Sequence, residues 1–129
     1  MNNEAKTKVL VLDDEVIVLK RLGPALEKAG FAVEIFSRSS DAFNRVQETA
    51  FDIVITDLKM EGLDGMQFLS IVKERSPKTE VIVITGFATM DTAKESFQKG
   101  VFDFLAKPFK LGEILETVKK AEKKIRSEG

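Results

Sequence analysis

Apolar residues in this chain recur in two rhythms. Short, nearly unbroken apolar runs at Lys8 to Leu12, Ala32 to Phe36, Ile53 to Thr56, Val81 to Ile84 and Phe102 to Ala106 predict five strands. Four of them are apolar at nearly every position, as strands covered on both faces of a parallel sheet should be. The exception is the Phe31, Val33, Ile35 series, which alternates around Glu34 and suits an edge. Between the runs, apolar residues return at spacings of three and four. Leu19, Leu22, Leu26 and Ala29 line a first helix, and Ala42, Phe43 and Val46 a second. Met66, Phe68, Leu69 and Val72 line a third, and Met90, Ala93 and Phe97 a fourth. Leu111, Ile114, Leu115, Val118, Ala121 and Ile125 line a fifth. The punctuation agrees: Asp64 with Gln67 reads as a capping pair, Ser76-Pro77 closes the third helix, and Gly30 and Gly100 stand at C-caps. Pro24 falls inside the first helix, where it removes an amide and predicts a kink or local loosening. Alternating βα units joined by short loops predict a doubly wound α/β fold with a five-stranded parallel sheet, and order 2-1-3-4-5 puts the alternating strand at an edge. A small Rossmann-like nucleotide domain is the competing arrangement.

With 129 residues, 43% of them hydrophobic, the chain suffices for one domain spanning 1–129 with a buried core. A net charge of −1 provides no general attraction to nucleic acid or an anionic membrane, so neither is expected as a direct partner. Cysteine and histidine are both absent, which excludes disulfides, thiol catalysis, Ser-His-Asp hydrolysis and zinc held by sulfur or imidazole. No apolar run approaches the ~20 residues of a membrane-spanning helix, and Met1 to Lys8 is too polar for a signal peptide, so a soluble cytoplasmic domain is expected.

The chemistry that remains collects at the strand ends. The first run leads into Asp13-Asp14-Glu15, the third into Asp57, the fourth into Thr85 and the fifth into Lys107-Pro108. In an open parallel sheet the carboxyl ends of neighbouring strands meet in one crevice, where ligands bind. Taken singly, Asp13, Asp14 and Thr85 fit helix caps, Asp57 a turn and Lys107 a solvated charge. Taken jointly, three clustered carboxylates must protonate, pair with a cation or bind metal. An oxygen-only set suits Mg²⁺. With a lysine and a hydroxyl opposite, these are the parts for holding a phosphoryl group on a carboxylate. The turn after the first strand lacks glycine, which argues against a dinucleotide or flavin site.

From about Lys8 to Lys123 the chain resembles the receiver domain of bacterial two-component response regulators, a flavodoxin-like (βα)5 family. The resemblance rests on Val11-Leu12-Asp13-Asp14-Glu15, on Asp57-Leu58-Lys59-Met60 followed by Asp64-Gly65, on Ile84-Thr85-Gly86, and on Phe104-Leu105-Ala106-Lys107-Pro108-Phe109. It implies that Asp57 is the phosphoacceptor, and that Asp13 and Asp14 hold Mg²⁺ together with Asp57 and the backbone carbonyl of Lys59. Thr85 would be the switch hydroxyl, Phe104 the switch aromatic and Lys107 the phosphate-pairing lysine, with a cis Lys107-Pro108 bond. By the same resemblance, Lys59 and Phe87 occupy positions that in the family tune access of the hydrolytic water. The chain departs from the family pattern at Glu61, where a proline is usual, and at Phe104, often a tyrosine. Pro24 lies on the face that many receivers offer to their kinase.

The stretch from Thr85 through Phe104 is similar to receivers of the nitrogen-regulatory class of transcriptional activators. What the resemblance implies is a phosphorylation switch, not an enzyme acting on other substrates, with a histidine kinase or phosphotransfer protein as donor. Residues 119–129 are expected to begin a linker to an output domain. Met90, Lys94, Phe97, Asp103, Lys110, Lys119 and Lys120 would lie around an output face that suits a reversible, phosphorylation-promoted homodimer. Two other functions use a similar cluster. A metal-dependent phosphohydrolase with an aspartate nucleophile needs a general acid and usually a cap, for which this chain has little room. A non-phosphorylated interaction domain would ordinarily have lost Asp14, Asp57 or Lys107.

Overall fold

The computed structural model describes residues 5–59 and 64–128. The elements follow in the order β1 (Lys8–Leu12), α1 (Val16–Lys28), β2 (Ala32–Phe36), α2 (Ser39–Glu48), β3 (Ile53–Thr56), α3 (Gly65–Arg75), β4 (Glu80–Thr85), α4 (Met90–Gln98), β5 (Asp103–Ala106) and α5 (Leu111–Glu128). All strand pairs are parallel, and the sheet order is β2-β1-β3-β4-β5. The alternating strand β2 is at an edge, as its pattern requires.

Successive residues of the central strands face opposite sides, so one sheet feeds two cores. Val9, Val11, Ile53, Ile55, Ile82 and Ile84 pack with Leu19, Leu22 and Leu26 of α1 and with Ile114, Val118 and Ala121 of α5. Leu10, Leu12, Val54, Val81 and Val83 pack with Ala42 of α2 and with Phe68, Leu69 and Val72 of α3. Each Val, Leu, Ile or Phe side chain among them contributes ~1.5–3 kcal/mol by leaving water.

Three local expectations are corrected. Ala29 is the exposed C-cap of α1 and no part of its buried face; its N–H closes the last turn on Ala25 and Leu26. On α4, Met90 is 90% and Phe97 51% exposed, and the fully buried residue is Ser96, whose hydroxyl donates to the Thr92 carbonyl at 2.7 Å. A nine-residue helix with so few apolar side chains does not define its inner face by period alone. Strand β5 is only partly buried because it forms the other edge of the sheet. Pro24 lies within α1, which runs unbroken through it. The predicted punctuation is present: Asp64 and Gln67 form a capping box, and Gly30 and Gly100 adopt φ values of 101° and 93°. Glu61 lies outside the described residues.

Helix α5 continues through Glu128. Its Ala121 is fully buried, Lys124 Nζ pairs with the buried Glu80 at 2.8 Å, and Glu122 accepts from Thr7. No described helix is long and apolar enough to cross a membrane.

Candidate functional site

The crevice forms where β1, β3, β4 and β5 end. The N-cap positions of the adjoining helices belong to other residues: Glu15 holds that of α1 without a side-chain cap bond, and Thr89 caps α4 in a box with Thr92. Asp13, Asp57 and Thr85 are therefore free of that structural duty, although all three are buried, at 2%, 5% and 0% exposure.

The carboxylates of Asp13, Asp14 and Asp57 each offer an oxygen within 4.8 Å of the others, with Asp14 exposed at the mouth. Asp13 Oδ1 accepts from the Glu15 backbone N–H at 2.8 Å, and its Oδ2 lies 2.8 Å from Lys107 Nζ. Asp57 is held similarly: Oδ1 accepts from the amides of Leu58 at 2.6 Å and Lys59 at 3.3 Å, and Oδ2 accepts from Lys107 Nζ at 2.8 Å. Lys107 also reaches the carboxylate of Glu15, and its side chain is only 12% exposed. It follows β5, and its backbone N–H donates to the Thr85 carbonyl at 2.8 Å, which ties the ends of β4 and β5 together beside the site. The Lys107-Pro108 peptide bond is cis.

Charge decides the character of this site. Burial pushes the Asp13 carboxyl above its ordinary value, and the nearby Asp57 adds to that; hydrogen bonds from Lys107 and the Glu15 amide only partly offset it. Burial alone would lower Lys107, but its bonds to Asp13, Asp57 and Glu15 outweigh that and hold the ammonium well above the usual lysine range. One ammonium thus serves several carboxylates, and the crevice retains excess negative charge. Oxygen-only donors, two buried and one open to solvent, fit a hard divalent cation.

The Thr85 hydroxyl oxygen accepts from the Phe87 amide at 3.1 Å, and no described hydrogen bond joins that hydroxyl to Asp57 or Lys107. Phe87 is half exposed, and its ring lies under Lys59, whose Nζ is 5.5 Å from the centroid. The two positions singled out as controlling water access, on different loops, therefore touch. Phe104 is partly buried and packs against the α2/α3 core.

Sequence reasoning missed two contributors. Glu15 pairs with Lys107, and its place directly after Asp13-Asp14 was the available signal. Gly65 begins α3 against the acceptor loop, donating its N–H to the Leu58 carbonyl at 2.9 Å; a Cβ there would stand 1.8 Å from the Asp57 carbonyl oxygen. Only glycine permits that approach. Gly65→Ala is expected to displace the backbone of Asp57 and destabilise the fold by ~1–3 kcal/mol, read as a lowered urea midpoint. An unchanged midpoint would show that the α3 start yields freely.

Comparison with known proteins matches residues 9–119 to the response regulator receiver domain. The chain is 31% identical over 90% of its length to the DNA-binding transcriptional regulator NtrC of Proteus hauseri. It is 32% identical over 96% of its length to the transcriptional regulatory protein ZraR of Salmonella typhimurium. It spans about a quarter of the length of these curated relatives, 24% and 28%. Among solved structures, a CheY-like receiver domain protein from Methanospirillum hungatei superposes with a TM-score of 0.93 at 23% identity, covering 97% of this chain and 100% of that one. The beryllofluoride-activated NtrC4 receiver domain dimer superposes with a TM-score of 0.86 at 35% identity, covering 92% and 98%.

Proposed function

The chain belongs to the response regulator receiver domain family, and from that premise we propose that it is a phosphorylation switch in which Asp57 accepts a phosphoryl group from a histidine kinase or phosphotransfer protein. The observation that carries this reading is the buried Asp57 carboxylate, with one oxygen on two backbone amides and the other on Lys107. In transfer, an Asp57 oxygen bonds to phosphorus as the phosphorus–nitrogen bond of phosphohistidine breaks. The amides of Leu58 and Lys59 orient the carboxylate, and Lys107 balances charge on the phosphoryl oxygens. Asp13, Asp14, Asp57 and the Lys59 carbonyl would hold Mg²⁺, which when bound neutralises phosphoryl oxygens. The protein catalyses only its own phosphorylation and dephosphorylation. Lys59 and Phe87, in contact beside Asp57, narrow the approach of water and favour slow hydrolysis.

Incubation with acetyl phosphate and Mg²⁺, followed by mass spectrometry, tests the reading. A hydroxylamine-labile adduct on Asp57 is expected, and its absence would remove the switch.

Once phosphorylated, Asp57 offers oxygens to the Thr85 hydroxyl, which draws the loop after β4 inward and opens space for Phe104. Thr85→Ala is expected to accept phosphate yet leave the α4–β5–α5 surface unchanged in hydrogen exchange. A response equal to the wild type's would refute this coupling. That surface carries the exposed Met90 and Phe97 of α4 and the exposed Lys119 and Lys120 of α5, a mixture suited to a reversible contact. Because a relative forms a beryllofluoride-activated dimer, we expect this chain to shift from monomer toward dimer with beryllofluoride in analytical ultracentrifugation; monomer in both states would exclude it. The named relatives are transcriptional regulators, which supports a cytoplasmic role in controlling an attached output domain, with no direct nucleic-acid contact by this domain.

A further inference from the structure

An ammonium has three N–H donors, and all three of Lys107's are engaged, by Asp13 and Asp57 at 2.8 Å each and by Glu15. An incoming phosphoryl oxygen can reach the lysine only if one of them lets go. Two of these contacts change by the reaction itself: Asp57 becomes an acyl phosphate, and Asp13 belongs to the carboxylate cluster suited to a cation. Glu15 belongs to neither. Its side chain is 56% exposed, stands at the mouth of the crevice, and touches only the lysine among the groups of the site. From this we infer that Glu15 is a positioning residue that holds Lys107 in the resting state and competes with the phosphoryl group for it, so that it restrains phosphorylation of Asp57.

This inference rests on the switch reading above. Its two components separate by geometry. The Glu15 backbone N–H that supports Asp13 is independent of the side chain, so Glu15→Gln removes the competing charge and leaves the Asp13 support in place. Glu15→Asp keeps the charge at the mouth and shortens the reach to Lys107. An exposed ion pair of this kind also weakens with salt.

The test follows phosphorylation by phosphoramidate in Mg²⁺, read by intact mass, at low and high ionic strength. In this reaction an Asp57 oxygen bonds to phosphorus while the phosphorus–nitrogen bond breaks, and ammonia leaves on the nitrogen that the zwitterionic donor already carries protonated. Glu15→Gln is expected to react about two- to fivefold faster than wild type at low salt, with the difference shrinking at high salt. Glu15→Asp is expected to follow Glu15→Gln. Equal or slower reaction of Glu15→Gln overturns the inference, as does a rate for Glu15→Asp equal to wild type, since charge at the mouth would then suffice without the contact. A wild type that gains no adduct on Asp57 overturns the switch reading itself, an outcome distinct from wild type and variant reacting alike.

Discussion

Asp57→Asn is expected to abolish the hydroxylamine-labile adduct while making the metal-free protein more stable. The two effects have separate origins. An amide cannot form an acyl phosphate, so loss of phosphorylation should be complete. The Asn side-chain oxygen can still accept from the Leu58 and Lys59 amides, as Asp57 Oδ1 does, so the acceptor loop keeps its shape. What disappears is one buried negative charge from a crevice where a single ammonium faces Asp13, Glu15 and Asp57, with Asp14 alongside. Relief of that repulsion is worth ~1 kcal/mol, about 3–6 °C in Tm for a domain of this size. Intact mass and thermal melting without divalent cation check both parts. An adduct on the variant at the wild-type rate would place the acceptor elsewhere, and a lowered Tm would show that Lys107 leaves the wild-type crevice without excess charge.

Much of the fold was legible because parallel strands buried on both faces have to be apolar at almost every position, and Val9 to Leu12, Ile53 to Ile55 and Val81 to Ile84 are. The edge position of β2 was legible from Glu34, which ion-pairs with Arg45 at the surface at 2.7 Å. Helix α4 was not, since Met90 and Phe97 fit an inner face by spacing yet lie on the outer one, and small Ser96 and Ala93 turn toward the protein. Proximity of Asp13 and Asp57 followed from strand order, because residues that end the neighbouring parallel strands β1 and β3 share a crevice, whereas Lys107 follows β5, two strands from β3, and arrives by the reach of its side chain. Glu15 and Gly65 were hidden for another reason. Their roles depend on where a flexible side chain reaches and how closely two backbones pass, and neither is written in hydrophobic period.

The heaviest cost to stability is expected from Lys107→Met. Methionine approximates the aliphatic volume of lysine, so packing changes little, but the ammonium that sits between Asp13 and Asp57 is gone. Removing one partner of a buried pair leaves charge without compensation, which costs ~3–5 kcal/mol in a closed interior; the opening at Asp14 lets water in and brings the expectation to the lower end. The gap between variant and wild type should depend on pH at both ends. Lys107 is held above its ordinary value, so its stabilisation is fully present below about pH 10.5 and is lost as pH rises through the folded value. Asp13 is also raised, so its favourable contribution exists below about pH 3.8 and disappears as pH climbs through its folded value; at neutral pH it opposes folding, more so once Lys107 is gone. The gap should therefore be widest near neutrality and narrow toward acid, where Asp13 protonates, and above pH 10.5, where the lysine of the unfolded chain loses its proton while the folded one keeps it. Millimolar Mg²⁺ should restore part of the loss by mass action on the same carboxylates, and Asp57→Asn in the same chain should restore part of it without metal, giving non-additive effects in a double-mutant cycle. Urea unfolding of the four proteins of that cycle, from pH 4 to above 10.5 with and without Mg²⁺, measures all of this. A variant as stable as wild type at pH 7 without metal would mean that the crevice is hydrated well enough to hold its carboxylates unaided, and the electrostatic account of the site would fail with it.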